Sequence, residues 1–298
     1  MTLEEYQHPY GFEGAVSPRT LMRGAALSTM AWAYRSTGAM ARALAKPRVQ
    51  FLYLHHLFPE EEAGFRALLA ALQRTQTLIS YSEAVDRLWH DQLDRPYVCF
   101  SFDDGLRQNL RAAQILHEFG VSACFFICPG FVGETSPDKL KEICATRFKM
   151  PPTEMLSWDD VDAMLALGQE IGSHTQTHQV LSRISAAALE DELGQSFDEF
   201  KQRLGGVKHF AWPEGRFWHF SATAAKAVFA AGYESCASAE RGCHISAPDW
   251  PQPNLCLRRD YVSAHWPLSH TFYFLCRGSQ NASVANNHWP AEWTDVIC

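Results

Sequence analysis

Two adjacent carboxylates follow an apolar segment in the first half of the chain. The run 97–102 (Tyr-Val-Cys-Phe-Ser-Phe) leads directly into Asp103, Asp104 and Gly105. Two acids at the end of an apolar strand are unfavourable unless a cation or a proton compensates them. Gly105 permits a tight turn that lets both side chains face one pocket. The segment therefore predicts either a solvated Asp-Asp-Gly turn or part of a cation site.

Two histidines follow a second short strand. Residues 170–173 are predicted to be extended, and His174 and His178 come directly after them. Histidines four apart in a first helical turn share one face, and neutral imidazole is the usual ligand of zinc and related metals. Alone, such a pair is more often structural or superficial. Combined with a strand-end aspartate, it predicts a metal site with two histidines, one carboxylate and positions open to water.

These segments resemble the NodB-type polysaccharide deacetylases (carbohydrate esterase family four). The resemblance rests on Ser-Phe-Asp-Asp-Gly at 101–105, His-Thr-x-x-His at 174–178 and the run 156–178 that leads into the histidines, and it covers roughly 47–240. It implies an α/β fold, a distorted (β/α)7 barrel, and metal-dependent removal of N-acetyl groups from amino sugars. By position it makes Asp103 the general base. It makes three residues the ligands of a divalent metal, zinc first and cobalt, nickel or manganese as alternatives: Asp104, His174 and His178.

The family's third motif is altered in this chain. Residues 210–216 read Phe-Ala-Trp-Pro-Glu-Gly-Arg, with Ala211 where an arginine is usual. This pattern resembles the Phe-Ala-Tyr-Pro-x-Gly branch, which includes poly-N-acetylglucosamine deacetylases. The arginine that usually braces the catalytic aspartate must then come from elsewhere, with Arg216, Arg258 and Arg259 as candidates. Aromatic faces stack on sugar rings, so three residues are predicted to bind substrate, a rigid turn after a core strand being the alternative for the first two: Trp212, Pro213 and Trp158.

The general acid has two candidates near the start of the barrel. The family's late Leu-x-His motif is not found in its usual setting, because His265 and His270 follow Trp- and Pro-rich sequence. Instead, His55 and His56 follow the first predicted strand within the run 51–59. This resembles a permuted arrangement found in the same branch. His55 is predicted to be the acid and His56 is second. A histidine pair in a surface loop is the alternative.

The rest of the chain reads as alternating short strands and longer helices, which is typical of parallel β/α units, and about seven such units predict a barrel or a doubly wound sheet. Residues 1–46 are predicted to form an N-terminal helical arm with a helix from about 18 to 44, 47–276 the barrel, and 277–298 an irregular tail. Strands are expected at 49–54, 97–102, 123–127, 170–173, 207–211, 233–237 and 255–258. Helices are expected at 60–73, 82–88, 108–119, 158–167, 186–204 and 221–231.

Composition limits the partners. The 298 residues include 26 Lys and Arg against 33 Asp and Glu, a formal net charge of -7, which gives no broad electrostatic reason to bind nucleic acid. Nine scattered cysteines without a CxxC pair favour a reducing compartment. The start lacks the features of a secretion signal. The apolar stretch 24–45 is broken by Arg35 and Arg42, so it predicts a packed or amphipathic helix, not a membrane span.

These features predict a cytoplasmic, metal-dependent deacetylase of a polysaccharide or glycan precursor, with peripheral membrane contact through the N-terminal helix as the alternative location. The oligomeric state is left open. Two other functions are alternatives. One is hydrolysis of an O-acetyl ester or another amide on the same scaffold, and the other is glycan binding without catalysis.

Overall fold

The computed structural model describes residues 18–247, 254–280 and 289–297, and within them nine parallel strands form one sheet in the order β8-β7-β6-β5-β4-β3-β1-β9, with β2 paired to β3. All seven predicted strands are present; β2 and β9 were not predicted. The bounds are β1 Arg48–Leu54, β2 Thr77–Leu78, β3 Pro96–Phe102, β4 Ala123–Ile127, β5 Glu170–Ser173, β6 His209–Ala211, β7 Ser235–Ala237, β8 Leu255–Leu257 and β9 Arg259–Tyr261.

The last two strands bring the two edges of the sheet together. Only Arg258 separates β8 from β9. β8 pairs with β7, and β9 pairs with β1, so the continuous segment 255–261 bridges the last and first strands. The result is a nearly closed ring of seven strand positions, which confirms the predicted distorted (β/α)7 barrel.

Helices surround this ring, and all six predicted barrel helices are present. α6 and α10 were not predicted. The bounds are α1 Pro18–Ser36, α2 Ala39–Leu44, α3 Glu62–Gln73, α4 Tyr81–Trp89, α5 Gln108–Glu118, α6 Pro137–Ile143, α7 Trp158–Ala166, α8 Ala186–Leu204, α9 Ala222–Ala230 and α10 Leu268–Gln280. No helix in the described ranges is long and apolar enough to cross a membrane.

The two ends of the chain differ from the prediction in detail. The single helix expected over 18–44 is divided into α1 and α2, because Gly38 adopts a left-handed conformation with φ 68°. The segment predicted as an irregular tail begins with the end of α10 and holds helical turns at Ala291–Trp293 and Thr294–Ile297. Trp289 is buried there against the barrel's aromatic cluster, so this part of the tail is packed.

Strand side chains alternate between two cores, as the pleat requires. In β1, Val49 and Phe51 join a cluster with contributions from strands all around the ring, which is the barrel interior. Leu52 and Leu54 instead pack with residues of α3 and α5 outside the ring. In β3 the interior positions are Tyr97 and Cys99. Continued along the chain, this alternation carries the interior face of β1 to His55 and that of β3 to Asp103.

Candidate metal centre and catalytic cleft

Asp104, His174 and His178 converge where β3 and β5 end. One possible ligand atom from each lies within 4.8 Å of the other two, and all three residues are buried. Asp104 Oδ1 is 3.5 Å from Nε2 of His174 and 3.3 Å from Nε2 of His178. The three residues assigned to a metal by the sequence therefore lie together, with two imidazole nitrogens and one carboxylate oxygen turned towards a common point.

The histidines do not lie on a helix, which corrects the expected helical turn. Residues 174–178 form a turn-rich loop after β5, in which Thr175 and His178 have φ values of 65° and 55°. These left-handed residues reverse the chain and bring the second imidazole back beside the first. A tight loop thus brings together two histidines that are four residues apart. The centroids of their rings lie 5.0 Å apart, and the ring planes make an angle of 64°.

A similar turn directs both adjacent carboxylates into the cleft. Neighbouring residues of a strand point to opposite sides, but Asp104 lies beyond β3 with φ 79°. Gly105 follows with φ 77°, where a Cβ would lie 3.0 Å from the Cβ of Ile127. Both the left-handed conformation and the close packing against Ile127 therefore favour glycine at position 105, as the sequence predicts.

The chemistry of the three donors fits a divalent metal. His174 donates a hydrogen bond from Nδ1 to the carbonyl oxygen of Ala211 at 2.7 Å, which leaves the lone pair of Nε2 directed at Asp104. Burial opposes ionisation of Asp104, but its contacts with the imidazoles of His174 and His178 outweigh it and hold its pKa well below the usual value. The ring of His178 packs edge-on against Phe148 at 4.9 Å. Two imidazoles and one carboxylate are a ligand set typical of zinc.

Asp103 is held by an arginine from the last strand. Arg259 donates from its two terminal nitrogens to Oδ1 and Oδ2 of Asp103, at 2.7 and 2.9 Å. The same guanidinium donates to Ser101 Oγ at 3.1 Å and, from Nε, to the carbonyl of Ser238 at 2.8 Å. Of the three arginines named by the sequence, Arg259 is thus the one that contacts Asp103. Arg216 pairs with Glu240 instead.

The two histidines after β1 face different surroundings. His55 lines the same cleft as Asp103 and the metal cluster, with its ring 5.5 Å from that of Tyr53 and 5.7 Å from that of Tyr261. Burial lowers the pKa of His55 against the opposing effect of Asp104 and Asp103. His56 lies 3.1 Å from Glu61 Oε2 through Nδ1 and packs on Phe58.

The three residues predicted to bind sugar lie differently with respect to the cleft: Trp212 is among its lining residues, whereas Pro213 and Trp158 are not. The Trp212 side chain is fully buried, stacked on Phe220 at 4.3 Å and on Trp289 at 6.2 Å. Pro213 is buried in the turn that follows β6. Trp158 begins α7, packs against Phe200 and lies beneath the Arg203 guanidinium, outside the residues that line the cleft. The structure therefore gives Trp212 and Trp158 packing contacts, and sugar binding by these three residues stays a prediction.

The walls of the cleft come from residues that the sequence did not single out. The cleft has a volume of about 270 Å³ and is also lined by Tyr53, Arg147, Phe148, Lys149 and Glu214. Lys149 and Glu214 form an ion pair, and both adopt left-handed backbone conformations. Tyr53 precedes His55 by two residues on the interior face of β1, so strand alternation was a usable signal for it; the loop residues offered none. A larger cavity of about 550 Å³ lies elsewhere, beside α6 and the start of α7.

Comparison with known proteins agrees with this geometry. Residues 90–236 match the family model for polysaccharide deacetylase. No protein with a curated description matches the sequence. Among solved structures, IcaB from Ammonifex degensii shares 19% identity with a TM-score of 0.58, over 79% of this chain and 98% of its own.

Two further structures show the same fold. The deacetylase PplD from Streptococcus pyogenes, solved with acetate, has 18% identity and a TM-score of 0.58 over 76% of this chain and 97% of its own. A de-N-acetylase from Aggregatibacter actinomycetemcomitans has 16% identity and a TM-score of 0.59, over 76% and 99%. At these identities the likeness establishes a shared barrel.

Proposed function

Because residues 90–236 match the family model for polysaccharide deacetylase, we propose that the chain hydrolyses the N-acetyl amide of amino sugars in a polysaccharide or glycan precursor, with a divalent metal as cofactor. One observation carries this proposal: the cluster of Asp104, His174 and His178 shares a cleft with Asp103, which is held by Arg259. Hydrolysis of an unactivated amide needs a metal or another electrophile, a base and an acid, and this cleft offers residues for each.

The metal would be held by Asp104, His174 and His178, with zinc as the first candidate and cobalt, nickel or manganese as alternatives. When bound there, a divalent ion supplies Lewis acidity that polarises a carbonyl group and lowers the pKa of water from 15.7 to roughly 7. The hydrogen bond from His174 to the carbonyl of Ala211 fixes the tautomer in which Nε2 is a ligand, and such outer contacts orient metal ligands.

Asp103 is proposed as the general base. Both of its oxygens accept a hydrogen bond from Arg259, but each carboxylate oxygen has a further lone pair, so the group is oriented and still able to accept a proton from water. The guanidinium also supplies the positive charge that a buried carboxylate requires. Its neighbour Asp104 belongs to the metal cluster. The two adjacent carboxylates would therefore have different roles, one as base and one as metal ligand.

His55 is proposed as the general acid that protonates the departing sugar nitrogen. In the order of the strands, β1 and β5 lie on opposite sides of β3, so His55 and the histidine pair flank the two aspartates. Because burial lowers its pKa, His55 rests neutral near pH 7 and must gain a proton during the cycle before it donates one. Its source would be the water proton that Asp103 accepts, passed on to His55 before the sugar nitrogen leaves.

The related structures support an N-acetyl substrate. One is described as a de-N-acetylase and another as a deacetylase in complex with acetate, the product that this reaction releases. The altered third motif, Phe-Ala-Trp-Pro-Glu-Gly, resembles the branch that includes poly-N-acetylglucosamine deacetylases. We therefore place the substrate among acetylated amino-sugar polymers and their precursors.

The test is acetate release by the full chain, loaded in turn with zinc, cobalt, nickel and manganese, from N-acetylglucosamine oligomers and from an O-acetylated glycan. We expect release from the N-acetylated oligomers and about one metal ion per chain, as a single three-ligand site requires. Release from the O-acetylated substrate alone would make the protein an esterase. Stoichiometric sugar binding without metal or acetate would make it a silent binder.

The thiols support work in a reducing compartment, which we propose to be the cytoplasm. The eight cysteines in the described ranges are buried, and seven of them are free: Cys99, Cys124, Cys128, Cys144, Cys236, Cys243 and Cys276. Buried free thiols behave as small apolar side chains, which is common in cytosolic proteins.

A further inference from the structure

The outward face of α1 is apolar and uncovered. Leu21, Met22 and Trp32 are exposed to 62%, 73% and 69% of their surface. At 100° per residue these three side chains and the exposed Ala25 fall within one third of the helix circumference. Large apolar side chains grouped on a surface indicate an interaction site more often than a random distribution does.

The opposite face of α1 is already occupied by α10. Ala31 is buried, Tyr34 packs edge-on against Tyr273 at 5.4 Å, and Tyr273 donates to the sulfur of Met30 at 3.3 Å. The helix is therefore apolar on both sides: one side joins the protein, and the other meets solvent. The outward side is in excess of what the fold uses.

The charge of this region is opposite to that of the whole chain. No Asp or Glu occurs between Glu13 and Glu60, although the chain as a whole has a net charge of -7. Five cations in this stretch are exposed, and no carboxylate within the described ranges forms an ion pair with them. They are Arg19, Arg23, Arg35, Arg42 and Lys46.

The start of α1 extends past α10 towards the cleft end of the barrel. α10 follows β9, so it starts at the end of the barrel where the strands finish and the cleft opens. α1 runs in the same direction, because Ser28 lies 2.9 Å from His270 whereas Tyr34 accepts from Arg277 further along. The ten residues before Ser28 thus reach roughly 15 Å beyond the first turn of α10.

We propose that the outward face of α1 binds the surface of an anionic phospholipid bilayer and so holds the cleft end of the barrel near the membrane. Exposed Leu, Met and Trp side chains flanked by arginines, without acids, are the chemistry of a helix that lies in a membrane interface. Each cation near an anionic leaflet strengthens binding about fivefold. A second copy of this chain is a poorer partner, because two such faces would bring arginines together without a carboxylate between them.

The experiment is co-sedimentation of the full chain with vesicles of phosphatidylcholine containing roughly one third phosphatidylglycerol, at about 0.1 M salt where exposed charges still act over about 10 Å. Two variants test the two parts of the surface: Leu21→Ser, Met22→Ser and Trp32→Ser together, and Arg19→Gln, Arg23→Gln and Arg35→Gln together. Matched controls are Trp218→Ser and Leu165→Ser, which remove exposed apolar side chains elsewhere. Circular dichroism melting checks that each variant is folded.

We expect binding to anionic vesicles, at least about tenfold weaker binding to pure phosphatidylcholine, and a loss of about tenfold or more in both test variants but in neither control. Equal binding to both vesicles, equal losses in the controls or no binding at all would overturn the proposal. So would a concentration-dependent dimer, seen by light scattering, that only the Leu21/Met22/Trp32 variant abolishes. No substrate is used, so the result is independent of the proposed deacetylase activity.

Discussion

The carboxylate of Asp103 and the guanidinium of Arg259 form a pair of hydrogen bonds of 2.7 and 2.9 Å, although they are 156 residues apart in sequence. Both side chains are buried, and the fork of the guanidinium matches the two oxygens. Burial opposes the charge of Arg259, but the attraction of Asp103 outweighs it and raises the arginine's pKa further above its already high value. The closing strand of the barrel thus completes the site begun by β3.

Replacing Arg259 is expected to lower the unfolding free energy of the protein as well as its activity. Arg259→Met leaves the Asp103 carboxylate buried without a partner, which costs roughly 3–5 kcal/mol of unfolding free energy. Adding Asp103→Asn to that variant should recover part of the loss, since no unpaired charge remains. Urea unfolding measures both. The control Arg216→Met removes a half-exposed partner of Glu240 and should cost below about 1 kcal/mol. An Arg259→Met protein as stable as the control would contradict the role of the pair.

Substitutions in the cleft should distinguish the residue that accepts a proton from the residues that bind the metal. Asp103→Asn is expected to retain the metal and lose about 10²–10⁴-fold in turnover, because the amide cannot accept the proton of water. His174→Ala should lose the metal itself, since it removes one of three donors. Metal content by elemental analysis and acetate release distinguish the two. Near-normal turnover in Asp103→Asn would refute its assignment as the base.

Local patterns in the sequence were sufficient for the strands, the helices and the metal cluster, whereas the choice of a barrel over a doubly wound sheet came from the family resemblance. Seven strands and six helices followed from apolar runs and periodicity, and strand alternation also distinguishes the residues of β1 and β9. Arg259 and Tyr261 lie on the interior face of β9, whereas Asp260 faces α10. Likewise His55 continues the interior face of Phe51 and Tyr53, and His56 does not. Had the range of β9 been predicted, the same rule would have selected Arg259 from the three candidates.

What sequence could not supply depends on contacts between distant segments. His174 and His178 were expected on a helix because their spacing fits one, but two left-handed residues give the same proximity in a loop. The burial of Trp212 could not be predicted, because an exposed and a buried tryptophan have the same local pattern in sequence. Its burial depends on Phe220 and on Trp289, which arrives from the far end of the chain. No short-range pattern in the sequence predicts a packing contact between residues so far apart.

Trp289 should therefore contribute to stability although it lies in the segment expected to be an irregular tail. Its indole is 2% exposed, donates to the carbonyl of Asn254 at 2.8 Å and stacks with Trp212. Trp289→Ala is expected to cost roughly 3–5 kcal/mol, the usual range for a buried aromatic. The matched control Trp218→Ala, at a site that is 69% exposed, should stay within about 0.5 kcal/mol. Equal denaturation midpoints for the two variants would show that the segment is not part of the folded core.

Asp260 is expected to give the stability a pH dependence in mildly acidic solution. Burial raises its pKa to about 6, partly offset by the hydrogen bond that Gln50 donates at 2.6 Å. An unfolded chain releases this proton near pH 4, so between about pH 4 and 6 the folded state holds more protons and the unfolding free energy falls as pH rises, by about 3 kcal/mol in total. Asp260→Asn retains an oxygen for Gln50 and should remove this decline. Urea titrations at intervals from pH 4 to pH 8, with the exposed Asp191→Asn as control, measure the difference between variant and parent. If the two curves stay parallel across that range, Asp260 is ionised in the folded protein throughout, and the buried network around Gln50 must supply a compensating charge.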